Sequence, residues 1–210
     1  MRSRLLLALC VLPFLGCPDS PKPTPGVVRA EVSIPVPDFT LTERNGQSVK
    51  NTDLQGKVWV ASFVFTRCTG PCPQVTATMG RLQSELNLTA EPNLRLVTFT
   101  VDPERDTPDE LKDYATKFRA DPKQWLFLTG PEEKIHHLLK DGFKVSAQRS
   151  KTPKPGEEFD HSSRLVVVDK AGNIRGFFDG MRAEKSHDPD GDFTANLTAL
   201  KSLVGVLLKE

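Results

Sequence analysis

An α/β fold is predicted for this 210-residue chain by three observations. Two runs, "VWVASFVF" at 58–65 and "LRLVTFTV" at 94–101, are almost continuously apolar, as strands buried on both faces are. Between them Val75, Met79, Leu82 and Leu86 recur at helical spacing and mark one stripe of a helix. Strand, helix and strand at this interval make a crossover unit with parallel strands and a right-handed connection. The length suits one domain with extras. The composition, 38% hydrophobic and 26% charged, is that of a soluble globular protein. A formal net charge of +1, without a Lys/Arg run, argues against a nucleic-acid-binding face.

The elements follow in order. Residues 38–57 alternate weakly around Asn45-Gly46, a hairpin turn signal between short strands. After the crossover unit, Thr107 is a candidate N-cap, Pro108 takes the first helical position and Glu110 completes a capping box. "WLFLTG" at 125–130 reads as a strand, and 131–142 as a helix closed by Gly142. Residues 146–163 form a long polar loop rich in Lys and Pro. "RLVVVD" and "IRGFFDG" make a hairpin across 170–173. A last helix turns Phe193, Leu197, Leu200, Val204 and Leu207 inward. This order is thioredoxin-like, with an N-terminal β-hairpin and an inserted loop.

The N-terminus stands apart. Arg2 and Arg4 precede an apolar run over 5–15 that is too short to span a bilayer comfortably, and Gly16-Cys17 follows. Residues 1–17 therefore read as an export signal of lipoprotein type, with Cys17 as the lipidated residue. Ordinary cleavage nearby and an uncleaved anchor are the alternatives. Residues 18–36, with Pro18, Pro21, Pro23 and Pro25, form a semi-rigid tether, and the domain occupies 37–210. The domain is expected outside the cytoplasm, in the cell envelope, held to a membrane. Cys10 lies within the signal, so the exported domain carries Cys68 and Cys72.

These two cysteines sit where a strand's C-terminal end meets a helix N-terminus, the edge at which open α/β sheets build their sites. A helix N-terminus favours thiolate. A disulfide there would close a loop too small for much entropic stabilisation, so the pair reads as chemistry. Side chains four apart on a helical turn have Cβ atoms roughly 5–6 Å apart. A disulfide wants about 3.8 Å. Two sulfurs on one zinc-like metal can stand up to ~4.6 Å apart, so both outcomes are within reach. Packing as two inert thiols is the bland alternative.

Four histidines are candidates for a third ligand. His136 and His137 read as helix-surface or packed residues. His187, in "SHDPDGD", reads as a solvated turn, because the glycine and the final acid of a calcium loop are misplaced. His161 closes the polar loop just before the strand "RLVVVD", from where it can reach the cysteine turn. Asp102 ends the second buried strand, as a turn and capping residue or as a participant in the site.

The segments "FTRCTGPCP", "TVDPERDTPDELKDYATKF" and "DHSSRLVVVDKAGNIRGFFDG" together resemble the Sco/SenC copper proteins, thioredoxin-fold domains tethered to membranes. The resemblance runs from about Pro37 to the end. Thr69 departs from it, standing where the family usually has proline. The resemblance implies Cys68, Cys72 and His161 as copper ligands. It also implies a copper metallochaperone for the binuclear centre of cytochrome c oxidase subunit II, by delivery or by reduction of that centre's cysteines. Two thiolates suit Cu(I), and an imidazole helps accommodate Cu(II). The main rival is a metal-free thiol–disulfide oxidoreductase with Cys68 attacking and Cys72 resolving. The longer cysteine spacing and the absence of a proline before the strand "RLVVVD" count against it. A zinc module and, more weakly, a peroxidase are further readings.

Overall fold

The computed structural model describes residues 32–182 and 188–210. The signal stretch, Cys10, Cys17, most of the tether and His187 lie outside the described residues. β4 (Val58–Val64) runs through the middle of an eight-stranded sheet, and all seven of its residues are buried. β5 (Leu94–Thr100) pairs parallel with β4, and β6 (Trp125–Thr129) pairs parallel with β5. On the other side of β4 lies β9 (Arg164–Val168), antiparallel, then β10 (Asn173–Asp179). The hairpin of β2 (Thr40–Glu43) and β3 (Ser48–Lys50) extends the sheet beyond β6. Its turn uses Gly46 at φ +84°, a conformation glycine adopts without strain. This is the thioredoxin-like architecture that the order of elements predicts.

α1 (Cys72–Glu85) buries Val75, Met79 and Leu82 on the predicted stripe, while Leu86 is half-buried at its end. α2 (Pro108–Lys117) starts at Thr107, whose hydroxyl accepts the Glu110 N–H at 3.4 Å. The Thr107 N–H donates to the Arg105 carbonyl, so the return half of the expected box has no free donor to serve. α3 (Glu132–His137) runs into a π-helical turn (Leu138–Gly142) instead of continuing as one α-helix to Gly142. α4 (Pro189–Leu207) buries Leu197, Leu200, Val204 and Leu207 as expected, and Leu203 with them; Phe193 is half-buried. None of the described helices is long and apolar enough to cross a membrane.

Two features depart from the sequence expectation. β1 (Ile34–Pro35) pairs with β10, Ile34 opposite Ile174, so the sheet reaches back into the stretch read as tether. The polar loop also contains a second small sheet of β7 (Ala147–Arg149) and β8 (Phe159–His161), antiparallel. Its strands are too short for period-two patterning to announce them. Aromatic side chains hold both ends of this inserted hairpin. Phe143 packs on Phe99 (5.1 Å), Phe63 (5.2 Å) and Trp59 (5.9 Å), and Phe159 packs on Phe65 (5.6 Å).

Candidate metal centre at the cysteine turn

β4 delivers the chain to the site. The Cys68 N–H closes a turn onto the Phe65 carbonyl (3.2 Å), and α1 begins at Cys72 after Pro71. Cys68 thus lies in the turn before the helix, not on a shared helical face as the i, i+4 reading supposes. Both cysteines are reduced thiols. Cys72 is fully buried, while Cys68 retains 8% exposure and lines a cleft of about 760 Å³. The inserted hairpin forms the facing wall with Ser150, Thr152, Gly156, Phe159 and Asp160.

The Cys72 sulfur accepts the Phe65 N–H at 3.4 Å. Burial nevertheless pushes the Cys72 thiol far above its ordinary range, and the hydrogen bond with the Cys68 thiol adds to the rise. The helix N-terminus was expected to favour thiolate, but at Cys72 desolvation wins. Without metal Cys72 therefore favours its protonated form, and a soft cation would have to displace that proton.

The turn is braced from below. Asp106, 1% exposed, accepts the Thr66 N–H (3.1 Å), the Thr66 hydroxyl (2.6 Å) and the Thr100 hydroxyl (2.5 Å). Burial raises this carboxyl despite those donors. Asp102, equally buried, receives Arg105 on one oxygen at 3.2 Å, and its Oδ1 has no hydrogen-bond partner among the described residues. The same Arg105 nitrogen reaches Glu158 of the inserted hairpin at 3.3 Å. Asp102 is a turn residue, as one reading of it expects: its carbonyl accepts the Arg105 and Asp106 N–H groups.

His161 is placed by its backbone. It ends β8 opposite Ala147, on the hairpin that walls the cleft. Its side chain lies outside the described residues. His136 is half-buried, with Nε2 3.0 Å from the Val101 carbonyl and its ring edge-on to Phe159. His137 is exposed beside Asp141 at 2.7 Å. His136 is thus a packed residue and His137 a helix-surface one, as their helical setting suggests. Among the described residues no three His, Cys, Asp or Glu side chains gather into a metal site. Sequence reasoning missed Asp106 and Gly156. The first sits in a run read for its cap at Thr107, the second in a stretch read as a polar loop rich in Lys and Pro.

A thioredoxin-like sheet with a reduced dithiol at the carboxyl end of its central strand, walled by an inserted hairpin, defines a domain for thiol chemistry: electron exchange or the holding of a soft metal. The chain belongs to the SCO1/SenC family, whose family model matches residues 29–189. Solved structures similar to the chain include the following three. A SCO1/SenC family lipoprotein from Bacillus anthracis has 27% identity and a TM-score of 0.69, over 83% of this chain and 95% of that one. BsSco, a member of the Sco family of cytochrome c oxidase assembly proteins in which a disulfide switch has been identified, has 30% identity and a TM-score of 0.63. That match covers 81% of this chain and 95% of its own. Bradyrhizobium japonicum ScoI, solved with copper bound, has 25% identity and a TM-score of 0.61, over 79% and 99%.

Proposed function

We propose that this chain is a copper metallochaperone that holds copper through Cys68, Cys72 and His161 and serves the assembly of the binuclear copper centre of cytochrome c oxidase subunit II. The observation that carries the proposal is a reduced Cys68–Cys72 pair whose Cys68 lines a cleft, with β8, which ends at His161, on the facing wall. Two thiolates with a neutral imidazole would leave one net negative charge around Cu(I) and none around Cu(II), a set that accommodates both oxidation states. The copper-bound ScoI and the oxidase-assembly role of the BsSco family support the same reading. Copper here is cargo. The protein's part is to give up the thiol protons, to keep the Phe65 N–H on the Cys72 sulfur, and to open the cleft for exchange.

Lipidation of Cys17 after signal cleavage, with the Pro-rich segment as spacer, would hold the domain on the outer side of a membrane. The lipoprotein from Bacillus anthracis supports this placement. The decisive experiment expresses the chain from Val27, reduces it, adds copper, and measures stoichiometry and the visible spectrum. Transfer to an apo subunit II copper domain follows. Reduced protein that binds no copper overturns the reading.

A second reading, thiol–disulfide exchange, is favoured by the unequal exposure of the two thiols. Cys68 faces the cleft as an attacking thiol would, and Cys72 lies behind it as a resolving one. Reduction of the subunit II cysteines before loading would use this same pair. A measured redox potential and a disulfide-reduction assay on the metal-free protein separate it from copper delivery.

A further inference from the structure

The residue between Cys68 and Gly70 is bonded to the opposite wall of the cleft. The Thr69 N–H donates to the Gly156 carbonyl at 3.1 Å, and the Thr69 hydroxyl reaches the same oxygen at 3.4 Å. Gly156 is buried in an otherwise exposed stretch and holds φ +82°. A Cβ built on it would overlap Oγ1 and Cγ2 of Thr69. Glycine is thus required there twice, by backbone conformation and by the close approach of Thr69. The contact fastens the inserted hairpin directly onto the dithiol turn. From it the chain continues through Glu158, held by Arg105, and Phe159, packed on Phe65, to His161.

We propose that Thr69 is a positioning residue: its clasp on Gly156 holds the inserted hairpin over the dithiol, and release of the clasp sets how fast a soft metal ion leaves Cys68 and Cys72. This rests on the copper reading for its cargo but not for its geometry. The clasp touches neither sulfur, so its loss leaves the donor atoms in place and frees the lid above them. One net hydrogen bond corresponds to roughly a 2- to 10-fold change in an opening equilibrium, and the release rate should rise by that factor.

The test uses the full-length chain purified in mild detergent. Amide hydrogen exchange on the metal-free protein asks whether the Thr69 N–H is protected. Stopped-flow transfer of Cu(I) to a bicinchoninate chelator measures release. Thr69→Pro deletes the N–H, Thr69→Ala deletes only the hydroxyl, and Gly156→Ala pushes the two walls apart from the other side. The expected result is a protected Thr69 amide, with faster exchange across residues 150–158 and faster release in Thr69→Pro and Gly156→Ala. Thr69→Ala should fall between these and wild type, and Thr69→Ser should restore wild-type behaviour. The Thr69→Pro/Gly156→Ala pair should be no faster than either alone, because both break one contact. An unprotected Thr69 amide overturns the proposal, as does unchanged release in both Thr69→Pro and Gly156→Ala. If Thr69→Pro melts far below wild type, Gly156→Ala and the Thr69→Ala and Thr69→Ser series decide. A wild-type chain that binds no copper defeats the copper reading alone, since hydrogen exchange judges the clasp without metal.

Discussion

Thr66 offers both its backbone N–H and its hydroxyl to Asp106, forty residues further along the chain, two residues before the first cysteine of the site. The loop after β5 thereby fixes the height at which the chain leaves β4. The bond lies just before the cysteine turn and helps decide where Cys68 begins it.

Asp106→Ala should destabilise the fold by about 3 kcal/mol, since it strands the Thr66 N–H and the Thr66 and Thr100 hydroxyls near the interior. Asp106→Asn should cost less than half as much. Its carbonyl can accept from Thr66, its amide can donate to the Thr100 hydroxyl, and it carries no charge to desolvate. Urea denaturation of both variants measures the difference. An alanine variant within about 0.5 kcal/mol of wild type would show that the brace is dispensable.

Burial raises the Asp102 carboxyl above the usual carboxylate range, and Arg105 offsets this only in part. The native state then keeps this proton to higher pH than the unfolded chain does. The associated stability is fully present below the unfolded value of about 3.9 and is lost as pH rises through the native one. At neutral pH the ionised side chain costs stability. Asp102→Asn should therefore melt no lower than wild type at pH 7, and any gain should shrink as the pH approaches about 4. Melting curves across that window check it; a variant less stable at pH 7 that recovers in acid would reverse the sign.

Alkylation of the metal-free protein should be ordered. Cys68 lines the cleft, whereas Cys72 is fully buried with its thiol held in the protonated form. Iodoacetamide at pH 7.5, followed by peptide mass spectrometry, should label Cys68 at least about tenfold faster. Equal rates would mean that the turn opens more readily than its hydrogen bonds imply.

His161→Ala should weaken Cu(II) binding more than Cu(I) binding. Two thiolates suffice for near-linear Cu(I), whereas Cu(II) seeks more donors, nitrogen among them. The metal-free stability should change by no more than about 0.5 kcal/mol. Paired titrations under reducing and oxidising conditions, with a metal-free melt, give the comparison. Equal losses in both oxidation states would remove His161 from the proposed site.

Cys17→Ser should move the protein from the membrane fraction to the soluble one, because acyl chains would be the main anchor and the Pro-rich segment offers no amphipathic face. Fractionation with N-terminal mass analysis checks it. A wild-type chain with an unmodified N-terminus would count against lipidation.

What the sequence made legible was whatever depends on local pattern. β4 and β5 announced themselves because apolar residues dominate both runs, and the cap at Thr107 because its chemistry is contained within a few residues. The cysteine pair was readable from its place between a strand and a helix. Contacts between distant segments were not readable. Thr69 meets Gly156 and Arg105 meets Glu158 only after the hairpin folds back, and no spacing rule relates residues that far apart. The state of the Cys72 thiol was misjudged for a related reason: the helix end is visible in sequence, but the depth of burial that overrides it is a property of the packed whole.

The pairing of β1 with β10 fixes where the chain joins the sheet. Going backward from Pro35 to Ile34, the chain moves along β10 from Asn173 to Ile174, in the direction of Asp179, which pairs with Arg164 at the start of β9. That is the end of the sheet where β4 runs out into Cys68 and where β8 finishes at His161. At Ile34 itself the chain is still at the opposite end, level through Ile174 and Val168 with Trp59 at the start of β4. Any load on the N-terminus would therefore enter the sheet along its β1 edge, at the end away from the cysteine turn.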